Sequence, residues 1–184
     1  TDVATHPEFA ARKTTKVIDG VSLTGWFVED FTLAELKTLR AKERLPQLRP
    51  ANAGYDGRFE VPTFQDMIDL VKRREKETGR RIGIIPETKH PSYFQSIGLA
   101  LEEPLAKALK ANGYDSAKEP VFIQSFEVAN LVKLRKLTRA RLVQLMDAPA
   151  ARPYDFVIAG DKRTYGDLMT AEGLKGVRAH ADAI

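Results

Sequence analysis

The sequence contains no cysteine, which excludes disulfide bonds, thiolate catalysis and zinc sites built on sulfur ligands. It also has no apolar run of about 18 residues, the length that a membrane-spanning helix requires. The excess of positive charge is small, with 29 Lys and Arg against 25 Asp and Glu. We therefore interpret the charge as favouring solubility, and we predict neither nucleic-acid binding nor stable membrane insertion.

One basic run, KRREKETGRR from Lys72 to Arg81, stands out against this background. It contains two acidic residues and follows the polar side of a predicted amphipathic helix. Both features are typical of a solvated helix face rather than of a nucleic-acid patch.

The composition is that of an ordinary globular protein, with 43% hydrophobic and 29% charged residues among 184. We predict one domain over residues 1–184. Its first part, 1–62, is loop-rich with one helix; the second, 63–147, consists of βα units; the third, 148–184, is a long connection followed by the start of another strand.

The loop-rich part contains one clear helix signal. Residues 1–30 show no convincing periodicity and predict a loop with one short strand. Thr32 then precedes an apolar stripe and has Glu35 three residues later, a spacing that predicts a capping box at a helix start. Residues 46–62 hold three prolines and two glycines, which indicates a long irregular connection.

The second part alternates helices and strands. Thr63 and Gly79 mark the ends of an amphipathic helix, and an apolar strand of RIGIIPETK follows it. Beyond that come a helix in LEEPLAKALKANGY, a strand in PVFIQSFE, a helix in VANLVKLRKLT and a strand in RLVQLMD. This order predicts parallel βαβ units with right-handed crossovers, and hence an α/β fold.

The stretch RIGIIPETKHPSYF, residues 81–94, ends a predicted buried strand with two charges. Alternation along the strand places Glu87 and Lys89 on one face. At the carboxyl end of a parallel strand, where ligands bind in such folds, the Glu87 carboxylate is suited to Ca²⁺ or Mg²⁺ and the Lys89 amine to a phosphate. A structural ion pair between the two is the alternative interpretation.

Several segments resemble glycerophosphodiester phosphodiesterases of bacteria. They are GIIPETKHPSYFQSIGLALEEPL, VFIQSFEVANLVKLRKLT and LVQLMD, preceded by TDVA, DFTLAEL and VPTFQDMIDL in the order of that family. The resemblance implies a (β/α)8 TIM barrel that hydrolyses glycerophosphodiesters to sn-glycerol 3-phosphate and an alcohol with a divalent cation, Ca²⁺ or Mg²⁺.

The same resemblance implies roles for individual residues. Glu87 corresponds to a metal ligand and Lys89 to a catalytic residue near the phosphoryl group. Gln124 and Gln144, at two further strand ends, correspond to polar positions at the barrel mouth. Phe94 is expected to contact the glycerol part of the substrate or, alternatively, to pack on the barrel rim.

The sequence departs from the family pattern in its first strands. The family carries a His-Arg-Gly turn, a Glu-x-Asp metal pair and a second His there, and none of these is present. We therefore expect an incomplete barrel that lacks the first three strands and the last ones and is inactive alone. A non-catalytic barrel that binds anions or proteins, and a related phospholipase-D-like enzyme, are the alternatives.

The sequence leaves other properties open. The oligomeric state is not predicted, and export to the periplasm or the exterior is expected only from the resemblance. Of the three histidines, His90 is interpreted as loop structure, whereas His6 and His180 are expected to face solvent.

Overall fold

The computed structural model describes residues 1–184, which divide into two compact units, Thr1–Leu70 and Val71–Ile184. The boundary lies within a helix, whereas the predicted βα part begins at residue 63. No helix combines the length and the apolar character needed to cross a bilayer.

The first unit contains a hairpin where the sequence predicted a loop with one short strand. Strands β1 (Thr14–Ile18) and β2 (Val21–Gly25) pair antiparallel. Asp19 and Gly20 join them with φ of 51° and 78°, the positive values that a tight two-residue hairpin turn requires. The prediction is therefore corrected: Asp-Gly between two Thr- and Val-containing runs was the signal.

The helices of the first unit begin where their capping residues predict. Helix α1 (Leu33–Leu36) starts with the Thr32–Glu35 capping box, and the connection that follows contains only the short helix α2 (Pro50–Ala53). Helix α3 (Phe64–Thr78) starts after Thr63, whose hydroxyl accepts from the Asp66 N–H at 3.1 Å. The predicted caps are thus confirmed.

The carboxylate of Asp66 provides a first testable prediction. The Lys37 ammonium donates to it at 2.6 Å and the Thr63 N–H at 2.8 Å, and these bonds lower the pKa of Asp66 from 3.8 to about 2. Because the folded pKa is depressed, the stabilisation is present above pH 3.8 and is lost as the pH falls through about 2.

A carboxyl-carbon NMR titration of Asp66 should therefore have its midpoint near 2, and Lys37→Met should raise that midpoint. A midpoint of 3.8 in the unsubstituted protein would show that these bonds do not form.

The second unit begins with the end of α3 and contains a small parallel sheet. After helices α4 (Pro91–Ser96) and α5 (Glu102–Ala111) come strand β3 (Phe122–Ser125), helix α6 (Val128–Leu137) and strand β4 (Arg141–Gln144). β3 and β4 are parallel, with Gln124 beside Val143. Parallel bridges extend this sheet on both sides, at Ile84–Val121, Glu87–Gln124 and Val143–Ala183.

The sheet and its helices confirm the predicted α/β fold with βαβ units. Helix α6 packs against α5 and against both strands. The core between them consists of fully buried aliphatic side chains: Leu109, Val121, Ile123, Leu131, Leu134 and Leu142. The burial of alternate residues in β3 and β4 leaves the opposite face of the sheet more accessible.

Three short helices occupy the predicted long connection after β4. They are α7 (Tyr154–Ala159), α8 (Tyr165–Leu168) and α9 (Ala171–Val177). The buried Asp155 carboxylate accepts from the Ala129 N–H in the first turn of α6 at 2.6 Å, which satisfies a donor that the helix itself leaves unpaired. Burial raises the pKa of Asp155. After α9 the chain returns to pair with β4 at Ala183, as predicted.

Candidate active site

The segment that ends in Glu87, Thr88 and Lys89 alternates between two environments. Ile84 and Thr88 are buried, whereas Glu87 and Lys89 are exposed and Ile85 is 60% exposed. Pro86 has no N–H to donate, so the segment pairs with β3 through separate bridges instead of a regular strand. Its carbonyl still accepts from the Gln124 N–H at 2.9 Å, which holds the segment against the sheet.

The structure brings Gln124 to the face of Glu87. The two residues are bridge partners on neighbouring parallel segments, which in a sheet lie about 4.8 Å apart and point their side chains the same way. Gln124 is half-buried, so part of its side chain is accessible. Glu87, Lys89 and Gln124 therefore share one face at the carboxyl ends of two parallel segments.

Gln144 does not join this face. It pairs with Ser125, one position beyond the Gln124–Val143 pair, and its side chain is fully buried on the helix side of the sheet. Its amide donates to the carbonyls of Phe126 and Leu145 at 3.1 and 3.0 Å. The predicted position at the barrel mouth is thus corrected, because the strand register turns the Gln144 side chain toward the helices.

Two of the three histidines also differ from expectation. His180 is buried, and its Nε2 lies 3.3 Å from the Gln144 side-chain oxygen; burial lowers its pKa. The ring of His6 is only 20% exposed and contacts the carboxylate of Glu8 at 3.0 Å. His90 adopts φ of 52° directly before α4, which agrees with its interpretation as loop structure.

Phe94 lies on α4, immediately beyond the motif. Its ring and that of Tyr93 are half-buried and meet edge to face, with centroids 5.3 Å apart. The buried Glu127 carboxylate accepts from the Ser92 hydroxyl, which ties α4 to the end of β3. Phe94 is therefore fixed near the motif, and its contact with substrate remains a prediction.

The charges of Glu87 and Lys89 are not neutralised within the chain. Neither side chain forms a hydrogen bond or an ion pair, so the alternative of a structural pair between them is wrong. A free carboxylate is a suitable oxygen ligand for a hard cation. However, no group of three or more His, Asp or Glu side chains that could hold a metal exists in the chain, so these 184 residues offer a donor without a complete metal site.

A set of buried polar side chains behind the motif was not predicted. Thr88 contacts Asn130 of α6, which in turn contacts Glu102 of α5. In the sequence Glu102 resembles any acidic residue in a first helical turn, and Asn130 interrupts an otherwise apolar stripe. That interruption is the one signal that could have identified the set.

Comparison with known proteins agrees with the resemblance. Residues 3–184 match the model of the "Glycerophosphoryl diester phosphodiesterase family". A glycerophosphodiester phosphodiesterase of Arabidopsis thaliana is 38% identical over 159 residues, covering 80% of this chain and 41% of the plant protein. Those of Haemophilus influenzae and Treponema pallidum are 30% and 26% identical, each over 60% of this chain and about a third of their own length.

Similarity therefore extends to a plant enzyme as well as to bacterial ones, and it does not single out the bacterial branch. The chain spans between 32% and 41% of the length of these three relatives.

Proposed function

The chain belongs to the glycerophosphoryl diester phosphodiesterase family, and on this basis we propose that the protein hydrolyses glycerophosphodiesters to sn-glycerol 3-phosphate and an alcohol. Such a reaction serves glycerol and lipid metabolism. The observation that carries the proposal is the exposure of Glu87 and Lys89 on one face, without internal partners, at the carboxyl end of a parallel segment. A cation and a phosphate would both find an unpaired group there.

Each residue of this face has a proposed part. Glu87 would hold a divalent cation, Ca²⁺ or Mg²⁺, which when bound polarises phosphoryl oxygens. Lys89 would contact the phosphoryl oxygens directly with its positive charge. Gln124 has both amide donors and an acceptor for the hydroxyl groups of the glycerol, and Phe94 would pack against its carbon atoms.

We further propose that this chain forms only the middle strands of a TIM barrel. A TIM barrel has eight strands and typically about 250 residues, whereas the parallel sheet here has four strand positions, at 84–87, β3, β4 and Ala183. Ile85 and Phe126, on the face of Glu87, are 60% and 37% exposed. Further barrel strands would cover these apolar side chains and supply the remaining metal ligands and the acid and base.

The activity is tested with the protein at its full natural length. Glycerophosphocholine, glycerophosphoethanolamine, lysophosphatidylcholine and sphingomyelin are each incubated with the protein and Ca²⁺ or Mg²⁺. Glycerol 3-phosphate is measured with its dehydrogenase, and choline released from lysophosphatidylcholine and sphingomyelin is measured with choline oxidase. The first two substrates should release glycerol 3-phosphate, and EDTA should stop the release. Turnover of sphingomyelin alone would favour the phospholipase-D-like alternative, and no turnover would favour a binding protein.

Two further expectations accompany the proposal. We expect the 184-residue chain by itself to release no glycerol 3-phosphate, because its sequence lacks the His-Arg-Gly turn and the second His that the family pattern carries. Export to the periplasm or the exterior remains a prediction that cell fractionation would check.

Removal of the Lys89 charge provides a further test. In the full-length protein, Lys89→Met should lower kcat/KM by about 10- to 100-fold, the value of one charge-assisted hydrogen bond. Lys175→Met is the matched control, because Lys175 is exposed and forms only a surface pair with Glu172 at 3.0 Å. Equal kcat/KM in the two variants would exclude Lys89 from the phosphate contact.

A further inference from the structure

The middle residue of the Glu87-Thr88-Lys89 motif points away from the proposed site. Thr88 is only 4% exposed. Its hydroxyl donates to the Asn130 side-chain oxygen at 2.6 Å, and its N–H donates to the Gln124 carbonyl at 3.1 Å. The backbone of the motif is therefore held by Thr88 from the face opposite to the two charges.

Asn130 links Thr88 to the buried carboxylate of Glu102 by hydrogen bonds. Asn130 is 1% exposed and Glu102 is fully buried. The Asn130 amide donates to Glu102 Oε1 at 2.9 Å, and the Gln95 amide donates to the same oxygen. Lys133 Nζ, partly exposed, lies 3.3 Å from Glu102 Oε2 and 2.8 Å from Glu103 Oε1, so it contacts both carboxylates.

The hydrogen bonds of this network are consistent with one another in direction. Asn130 turns its NH₂ group to Glu102 Oε1 and therefore its oxygen to Thr88. The Thr88 hydroxyl has a single hydrogen, which must then point to Asn130. A buried network whose members are all satisfied rigidifies its surroundings, and here its first member is the residue between Glu87 and Lys89.

Backbone hydrogen bonds to β3 hold this segment from one side, at the Pro86 carbonyl and the Thr88 N–H. Pro86 has no N–H to add to them, and the chain turns away at His90 with φ of 52°. The side chains of Glu87 and Lys89 have no partners of their own. Thr88 is thus the side chain of the motif that determines where the two charged groups stand.

We propose that the Thr88–Asn130–Glu102 network positions Glu87 and Lys89 for cation and phosphate binding, and that Thr88 is a positioning residue of the active site. This inference rests on the function proposed above. The network then acts on ligand affinity and turnover through the backbone of the motif, beyond its effect on stability.

The test compares two substitutions of Thr88 in the full-length protein. Thr88→Val keeps the shape but removes the hydroxyl, whereas Thr88→Ser keeps the hydroxyl. Calorimetric titration with Mg²⁺ or Ca²⁺ should show about 10- to 100-fold weaker binding for Thr88→Val, the loss typical when a partner behind a metal ligand is removed. Its kcat should fall as well, whereas Thr88→Ser should match the unsubstituted protein in cation affinity and kcat because it keeps the hydroxyl.

A purely structural role would lower the thermal midpoint of Thr88→Val and leave cation affinity and kcat of the folded protein unchanged, and that result would overturn the inference. Should Thr88→Val fail to fold, Lys133→Met serves in its place, since Lys133 is at the surface end of the network. It should weaken cation binding, and unchanged binding would overturn the inference equally.

Failure of the proposed function is distinguishable from failure of the inference. If the unsubstituted protein binds the cation but hydrolyses no glycerophosphodiester, the function is wrong, and the calorimetric comparison of Thr88→Val with Thr88→Ser still decides about the network. If hydrolysis occurs and both Thr88 variants bind cation and turn over normally, only the inference is wrong.

Discussion

Glu87→Gln in the full-length protein is expected to lower cation-dependent release of glycerol 3-phosphate by more than about 100-fold, because loss of a direct ligand should exceed the loss caused by a partner behind it. The amide keeps the size of the side chain but removes the negative charge that a hard cation requires. Since Glu87 is exposed and has no internal partner, the fold should be unaffected. Far-ultraviolet circular dichroism and the thermal midpoint check this second part.

A matched control separates this effect from a general loss of surface charge. Glu172 is exposed and forms only an ion pair with Lys175, so Glu172→Gln should retain the activity of the unsubstituted protein. If Glu87→Gln and Glu172→Gln were equally active, Glu87 would not be a metal ligand, and the proposed site would have to be abandoned.

Gly173→Ala is expected to destabilise the C-terminal helices strongly. A Cβ atom at Gly173 would lie 2.0 Å from the Asp167 carbonyl oxygen and 2.7 Å from the backbone of Leu168. These are backbone atoms, so α8 and α9 would have to move apart. Forced overpacking of this kind costs about 1–3 kcal/mol and sometimes more, and chemical denaturation should reveal it as a lower unfolding midpoint.

The same helix offers the control. A Cβ at Gly176 would meet no atom within 4 Å, and Ala is favoured over Gly within a helix by about 1 kcal/mol. Gly176→Ala should therefore be neutral or stabilising. Equal stability of the two variants would mean that α8 and α9 do not approach as closely as described.

The elements that the sequence predicted correctly depend on local signals. The capping box at Thr32 and the N-cap at Thr63 involve residues three apart, so their geometry follows from the sequence alone. The apolar alternation in β3 and β4 likewise reports burial on one face. The hairpin of the first unit was missed although Asp19-Gly20 is a strong turn signal, because neither flanking run is regularly alternating.

The errors at the site arise from register, which one sequence does not contain. Gln124 and Gln144 occupy similar places near the ends of their strands, yet the pairing sets Gln124 beside Val143 and Gln144 beside Ser125. A shift of one residue moves a side chain to the other face of the sheet. Gln124 therefore lies with Glu87, whereas Gln144 and His180 meet in the interior.

The buried network behind the motif could not be predicted from the sequence for a similar reason. Thr88, Asn130 and Glu102 are separated by 42 and 28 residues along the chain, and only the packing of α5 and α6 brings them together. Each has an ordinary local explanation in the sequence. That the three residues form one hydrogen-bonded network can be recognised only from the three-dimensional structure.

The central claim is that Glu87 and Lys89 form part of a cation and phosphate site. The most direct measurement is a crystal structure of the full-length protein with Mn²⁺ and glycerol 3-phosphate, with the cation located by its anomalous scattering. We predict that a Glu87 carboxylate oxygen coordinates the cation and that Lys89 Nζ contacts a phosphate oxygen. A cation and a product bound elsewhere, with Glu87 and Lys89 left in solvent, would contradict the account.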